Sequence, residues 1–176
     1  MNETVRVLTV DDARRLAELV SANREFLAPW EPRRSPQYFT EGYQRREIIE
    51  ALAQYRDGLQ VPLAMIDNGQ VVGRINLNNI VRGAFQSGDL GYWVAQSHNG
   101  RGIATAAVGA MISLAFDGLG LHRLQAGTLV HNIGSQTVLQ RNGFQRLGLA
   151  PKYLRIDGRW QDHILFQRLN DPPILP

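Results

Sequence analysis

Residues 89–95 read as a β-strand that runs into a short polar turn, and the turn delivers Gly100-Arg101-Gly102 straight into an alanine-rich helical segment spanning residues 100–118. No other junction in the chain restricts the fold as much. A helix start leaves backbone N–H groups without intrahelical partners, and the aligned peptide dipoles add partial positive charge at the same point. Glycine lets the main chain come close to a ligand. Strand, glycine turn and helix together therefore form a cradle for an anion such as a pyrophosphate, with Arg101 placed to add a charge-assisted bond. Two familiar phosphate loops are excluded by inspection. There is no Gly-x-x-x-x-Gly-Lys-[Ser/Thr], and Thr105 stands where Gly-x-Gly-x-x-Gly requires its third glycine. Neither a nucleotide triphosphatase nor a Rossmann-type dinucleotide enzyme is supported.

The flanking pattern predicts a mixed layout. Residues 5–10 alternate like a short strand, and Thr9 with Asp12 has capping-box-like spacing at the head of a helix. Leu16, Leu19 and Val20 stripe that helix to about residue 22. The stretch 26–36 carries too much proline for regular structure. A second helix is expected from Thr40 to about Asp57, stopped by Gly58, with Tyr43, Ile48, Ala51, Leu52 and Tyr55 on or near one face. Strands at 61–66 and 71–80 flank Asn68-Gly69, a tight hairpin turn. A strand at 122–130, a helix ending at Gly143 and a hairpin over 153–169, turned at Asp157-Gly158, complete the order. This is not the regular strand–helix alternation of a Rossmann domain.

With 176 residues and 44% hydrophobic composition, the chain is expected to form one domain over residues 1–170, with 171–176 as a short tail. It has no cysteine, which excludes disulfides, thiolate metal sites and a cysteine nucleophile. The four histidines have no helix-spaced partners, so no metal site is expected. No apolar run has the length of a membrane span and the N-terminus lacks a signal-peptide pattern, so a cytoplasmic location is expected. All but one of the 19 basic residues are arginine, but they are scattered, and no direct nucleic-acid binding is expected.

The glycine turn resembles motif A of the GNAT acyl-CoA N-acetyltransferases, [Gln/Arg]-x-x-Gly-x-[Gly/Ala]. Here it reads Asn99-Gly100-Arg101-Gly102-Ile103-Ala104, with Asn99 departing from the first position. The run from Asn132 through Ser135 to Gly143-Phe144 is similar to the family's Asn-x-x-[Ala/Ser]…Gly-Phe segment. The tyrosine that many members use as general acid falls at Leu139 and is missing. Residues 26–32, 76–85, 90–93 and 156–163, in that order, resemble the RimJ/RimL branch, whose members acetylate the N-termini of ribosomal proteins.

That resemblance implies an α/β (α+β) GNAT fold: a central twisted mixed sheet, splayed between its fourth and fifth strands, with flanking helices. It implies acetyl-CoA as acyl donor. Backbone groups of Trp93, Val94 and Ala95 would pair with the pantetheine arm. Asn99 and the amides of Gly100, Arg101, Gly102, Ile103, Ala104 and Thr105 would hold the pyrophosphate, and a backbone N–H near Val94 would polarise the thioester carbonyl. Asn132 suits both a helix N-cap and a cofactor contact, and Ser135 takes the general-acid position. With no cysteine, the amine attacks directly. An attacking amine must be neutral, so a base is required. Asp89 reads equally as that base or as a strand-entry turn residue, and Glu31, on the Trp30 loop, is the other candidate. Trp30, Tyr92, Trp93 and Tyr153 either wall the acceptor cleft or belong to the core, the core being favoured for Trp93. His163 lines the cleft or serves its strand. The expected acceptor is the α-amine of a protein N-terminus, with a ribosomal protein beginning with alanine as the specific case and the enzyme a monomer or homodimer. A small amine, which would want a narrower and more acidic cleft, and a non-catalytic acyl-CoA-binding protein are the alternatives.

Overall fold

The strands are β1 (Val5–Val7), β2 (Val61–Asp67), β3 (Gln70–Val81), β4 (Ser87–Val94), β5 (Arg123–Leu129), β6 (Gln145–Ile156) and β7 (Arg159–Leu169). In the computed structural model, which describes residues 4–170, they form one sheet in the order β1-β2-β3-β4-β5-β7-β6. The anticipated tail at 171–176 lies outside the described residues. The helices are α1 (Asp12–Ala22), α2 (Arg24–Leu27), α3 (Glu41–Arg56), α4 (Ile103–Ser113) and α5 (Ile133–Arg141). One core cluster joins Ile75, Leu77 and Leu90 of the sheet to Val108 and Met111 of α4 and Leu139 of α5. A smaller one joins Ala64 and Val71 to Leu16 of α1 and Ile48 of α3. The sheet is thus covered on both faces.

Local chemistry explains the element ends. The β2–β3 hairpin turns on Asn68 and Gly69, both at positive φ (49° and 77°), which the primed turn requires. Thr40 caps α3 by accepting a hydrogen bond from the Tyr43 amide at 3.3 Å. At α1 the cap works in one direction only: the Asp12 carboxylate accepts from the Thr9 amide at 2.8 Å, and the helix proper begins at Asp12. Both terminal nitrogens of Arg6 also reach that carboxylate, at 2.7 and 2.8 Å. Burial pushes the Asp12 carboxyl up, but the bonds from Arg6 and Thr9 and the arginine's charge outweigh it and hold the group below its ordinary range. Replacing Asp12 with alanine removes the carboxylate that the Arg6 guanidinium and the Thr9 amide share, and is expected to lower unfolding free energy by about 1–3 kcal/mol at pH 7. A depressed folded-state pKa stabilises above the unfolded value and loses that contribution as pH falls through the folded one. The gap between wild type and variant in urea unfolding should therefore narrow when the same measurement is made in acid.

Three expectations need correction. The proline-rich stretch is irregular only in part: residues 31–35 have no regular structure and are flanked by α2 and two 3₁₀ turns, Ala28–Trp30 and Pro36–Phe39. Their prolines sit in the first positions, where the missing N–H is no loss. The third long helix begins at Ile103, after the glycines, and closes in a π-helical turn at Leu114–Gly118. The closing hairpin starts at Gln145, well before Tyr153, because β6 is the sheet edge and almost wholly exposed, so it shows no burial alternation.

The feature that positions the site is the separation of β4 from β5. They pair in parallel only at Ser87↔Arg123, Gly88↔Leu124 and Asp89↔Gln125. Past that point β4 stays bonded to β3 as far as Gly73↔Val94, and β5 to β7 as far as Leu129↔His163. The two inner edges face a gap.

Candidate active site

The gap holds a cavity of about 130 Å³. Leu90, Tyr92 and Trp93 line it from β4, Ala126, Gly127 and Thr128 from β5, Asn132, Ser135 and Leu139 from α5 and its cap, and Leu27, Trp30 and Glu31 from the α2 region. The structure thereby brings Glu31, Trp93, Asn132 and Ser135 to one place. The Ala95 amide donates to the Val72 carbonyl at 2.9 Å and is occupied within the sheet. By strand alternation the backbone groups of Tyr92 and Val94 then face away from β3, into the gap.

Asp89 sits elsewhere. It occupies the last paired position before the strands part, and its carboxylate accepts from Asn79 Nδ2 at 2.9 Å. It does not line the cavity. Glu31 does, and its loop is fixed from outside: the Asp157 amide donates to the Glu31 carbonyl at 3.0 Å, and Arg33 pairs with Asp157 at 3.2 Å. The Glu31 carboxylate pairs with Arg34 at 3.3 Å, and its side chain is 16% exposed.

Beyond the end of β4, Gly100 and Gly102 have φ of 74° and 79°, and Gly102 forms the N-cap of α4. Neither glycine has anything within 4 Å of where a Cβ would stand. The first α4 bond runs from the Ala106 amide to the Gly102 carbonyl at 2.9 Å. Among the described residues, the amides of Ile103, Ala104 and Thr105 have no protein acceptor. Arg101 is tied to Asp67 of β2 at 2.9 Å, which braces the turn against the β2–β3 hairpin. Asn99 closes the short 3₁₀ turn before it, its amide donating to Gln96 at 3.1 Å.

On the α5 side, Asn132 Oδ1 accepts from the Ser135 amide at 3.0 Å. Ser135 Oγ lies 2.9 Å from Tyr92 Oη across the gap. Burial pushes the Tyr92 phenol up to about 12, against the opposing pull of its bond to Ser135, so it stays a neutral hydroxyl. Leu139 is fully buried. Trp30 stacks on His131 with ring centroids 5.3 Å apart. Trp93 serves both readings, packing partly against the smaller core cluster while lining the cavity. His163 is 3% exposed, bonds the Gln161 carbonyl through Nδ1 at 3.0 Å and does not line the cavity. Tyr153 is exposed on the edge strand.

A parted pair of parallel strands, ending at a glycine turn with free helix-start amides, is the layout that the sequence resemblance anticipated. A family model for the acetyltransferase (GNAT) domain matches residues 4–145. The chain belongs to the GNAT acetyltransferases. It is 36% identical over 163 residues to the Escherichia coli [ribosomal protein uS5]-alanine N-acetyltransferase, spanning 92% of this chain and 84% of that enzyme. The Vibrio fischeri ribosomal-protein-S5-alanine acetyltransferase superposes with a TM-score of 0.92 at 33% identity, over 100% of this chain and 98% of that one. Mycobacterium smegmatis RimJ, solved in complex with CoA-disulfide, gives the same TM-score at 31% identity, covering 97% of this chain and 83% of its own. These relatives place this GNAT enzyme beside the RimJ/RimL branch, and its mixed seven-stranded sheet is the GNAT fold.

Among the lining residues that the sequence did not single out, Thr128 is the one with a polar side chain. Thr128 is buried, and its hydroxyl has no hydrogen-bond partner among the described residues. Threonine is so common in strands that its type carries no signal.

A second recess, of about 250 Å³, shares Leu27 and Glu31 with the first. Arg24, Arg33, Arg34, Tyr38 and Asp157 also line it. Arg34 lies over the Tyr38 ring at 4.4 Å. Burial, and then the charge of Glu31, push the Tyr38 phenol up.

Proposed function

We propose that this GNAT enzyme transfers acetyl from acetyl-CoA to the α-amine of a protein N-terminus, a ribosomal protein beginning with alanine being the specific acceptor, and that residues 1–170 form one catalytic domain. The observation that carries the donor is the gap itself, with its unpaired β4 edge running toward the unsatisfied amides at the start of α4. These groups fit an extended amide-bearing arm followed by a pyrophosphate. The CoA-bound RimJ of M. smegmatis, 31% identical, supports the same reading. Acetyl-CoA supplies an activated acyl group; the protein supplies position and proton handling. The amides of Ile103, Ala104 and Thr105 hold the diphosphate, and the Val94 amide, facing the gap, stabilises charge growing on the carbonyl oxygen. Ser135 donates toward the leaving sulfur, and Tyr92, neutral and 2.9 Å away, keeps that hydroxyl oriented. Glu31 takes the amine proton, directly or through water, because it stands at the junction of the two recesses while Asp89 stands outside the cavity.

The acceptor follows from the outer recess. Arginines 24, 33 and 34 face two carboxylates, Glu31 and Asp157. Such a wall repels a polyamine or aminoglycoside and suits a peptide whose positive charge is confined to its terminal nitrogen. Mass spectrometry after incubation with acetyl-CoA, a set of alanine-initiated peptides and a small-amine panel should find acetylation at the peptide α-nitrogen. Activity confined to polyamines or aminoglycosides would overturn this acceptor. With the peptide, Glu31→Gln should lose turnover mainly near neutral pH and recover at high pH, where the amine is already deprotonated. An equal loss at every pH would remove the base role.

A further inference from the structure

Thr128 stands out in the gap because every other side-chain hydroxyl facing it is satisfied. Tyr92 and Ser135 bond each other at 2.9 Å, and the Asn132 carbonyl oxygen is taken by the Ser135 amide at 3.0 Å. Thr128 is 5% exposed and lines the same cavity, and its Oγ1 has no partner among the described residues. A buried hydroxyl without a partner destabilises the fold that carries it, and valine has nearly the same shape. Packing alone therefore does not account for threonine here.

The strand register says what the hydroxyl faces. β4 and β5 are last paired at Asp89↔Gln125. Three residues further along each parallel strand come Tyr92 and Thr128, so the two stand level on opposite lips of the gap. Thr128 points to the same side as its alternate neighbours Leu124 and Ala126, which belong to the core cluster that packs under α4 and α5. Ser135, on the first turn of α5, covers that side. Tyr92, Thr128 and Ser135, from β4, β5 and α5, thus line one small space.

We propose that Thr128 is a substrate-contacting residue, its hydroxyl donating a hydrogen bond to the sulfur of the acyl carrier. This rests on the reading of the gap as the acyl-CoA site. In the transfer the amine nitrogen forms a bond to the carbonyl carbon, the carbon–sulfur bond breaks and its electron pair goes to sulfur. Glu31 takes the proton from nitrogen; the sulfur takes one from the Ser135 hydroxyl, which is restored from solvent as Glu31 gives its own proton up. Thr128 gives up no proton; it stabilises the sulfur as negative charge develops there, from the lip opposite Tyr92.

The test uses the full chain with Thr128→Val and Thr128→Ser. Thermal unfolding without ligand should leave the valine variant as stable as wild type or more so. Calorimetry at about pH 10, where an alkyl thiol, less acidic than cysteine's, is substantially ionised, should show wild type binding CoA about five- to tenfold more tightly than desulfo-CoA, the size of one good hydrogen bond. The valine variant should bring that ratio close to one, and the serine variant should keep it. A clear loss of ligand-free stability in the valine variant would show that the hydroxyl serves the fold and overturn the proposal. So would an unchanged ratio, which would mean that the sulfur is not its partner. Binding of neither CoA nor desulfo-CoA to wild type has a different signature, removing the acyl-CoA reading of the gap and this inference with it.

Discussion

Gly102→Val should raise the KM for acetyl-CoA at least about tenfold while leaving a folded protein. Gly102 is the N-cap of α4 at φ 79°, ψ 0°. A β-branched side chain is strained there by about 1–3 kcal/mol. Space is not the difficulty, since a Cβ would meet nothing within 4 Å. The chain would relieve the strain by rotating the peptides on either side of residue 102, and that rotation turns the free amides of Ile103, Ala104 and Thr105 away from their common focus. A hydrogen bond from an amide to a charged oxygen contributes about 1.5–3 kcal/mol, so misaligning one of them already accounts for tenfold. The defect should appear in KM and in calorimetric affinity for CoA, with turnover at saturating donor much less affected. Gly102→Asn, which tolerates the left-handed region better, should fall between valine and wild type. A folded valine variant with wild-type affinity would show that this helix start is not where the diphosphate binds.

What could be read from the sequence divides along a physical line. Asn68-Gly69, Thr40 and the glycines at 100 and 102 were legible because each acts through its own backbone angles or its own cap. The prolines at 29 and 36 misled for a related reason: proline ends a helix from within but suits the first positions of a turn, and the residue type alone does not say which. The parting of β4 and β5 after Asp89↔Gln125 is a tertiary event. No local pattern in either strand announces it, so it was legible only through the family resemblance. Asp89 and Glu31 were both candidates for the base because sequence gives no distance to a cavity. They separate once the Asp157 amide anchors the Glu31 loop beside the gap. Thr128 had no signal, because what distinguishes it is a missing partner, and that exists only in three dimensions.

Gly73→Ala should be the most damaging single-methyl change in the sheet. A Cβ at residue 73 would lie 2.4 Å from the Trp93 carbonyl oxygen and 2.9 Å from the Val94 Cα. Both are backbone atoms of the partner strand, so no rotamer change can clear them. Gly73 pairs directly with Val94, at the free end of β4. The methyl can be accommodated only if β4 moves off β3, and the open direction is into the gap. Overpacking of this kind destabilises by about 1–3 kcal/mol, occasionally more. The same movement displaces the Val94 amide, and a shift near 1 Å in a positioning group can cost a hundredfold in rate. Urea unfolding should therefore show a loss of about 2–3 kcal/mol, and kcat/KM should fall by up to about a hundredfold. Gly42→Ala in α3 is the control, because nothing lies within 4 Å of its Cβ position. A helical glycine replaced by alanine should gain about 0.5–1 kcal/mol with activity unchanged. If Gly73→Ala matched wild type in both stability and rate, β3 and β4 would not share this register. The placement of the Val94 amide at the gap, on which the proposed chemistry depends, would go with it.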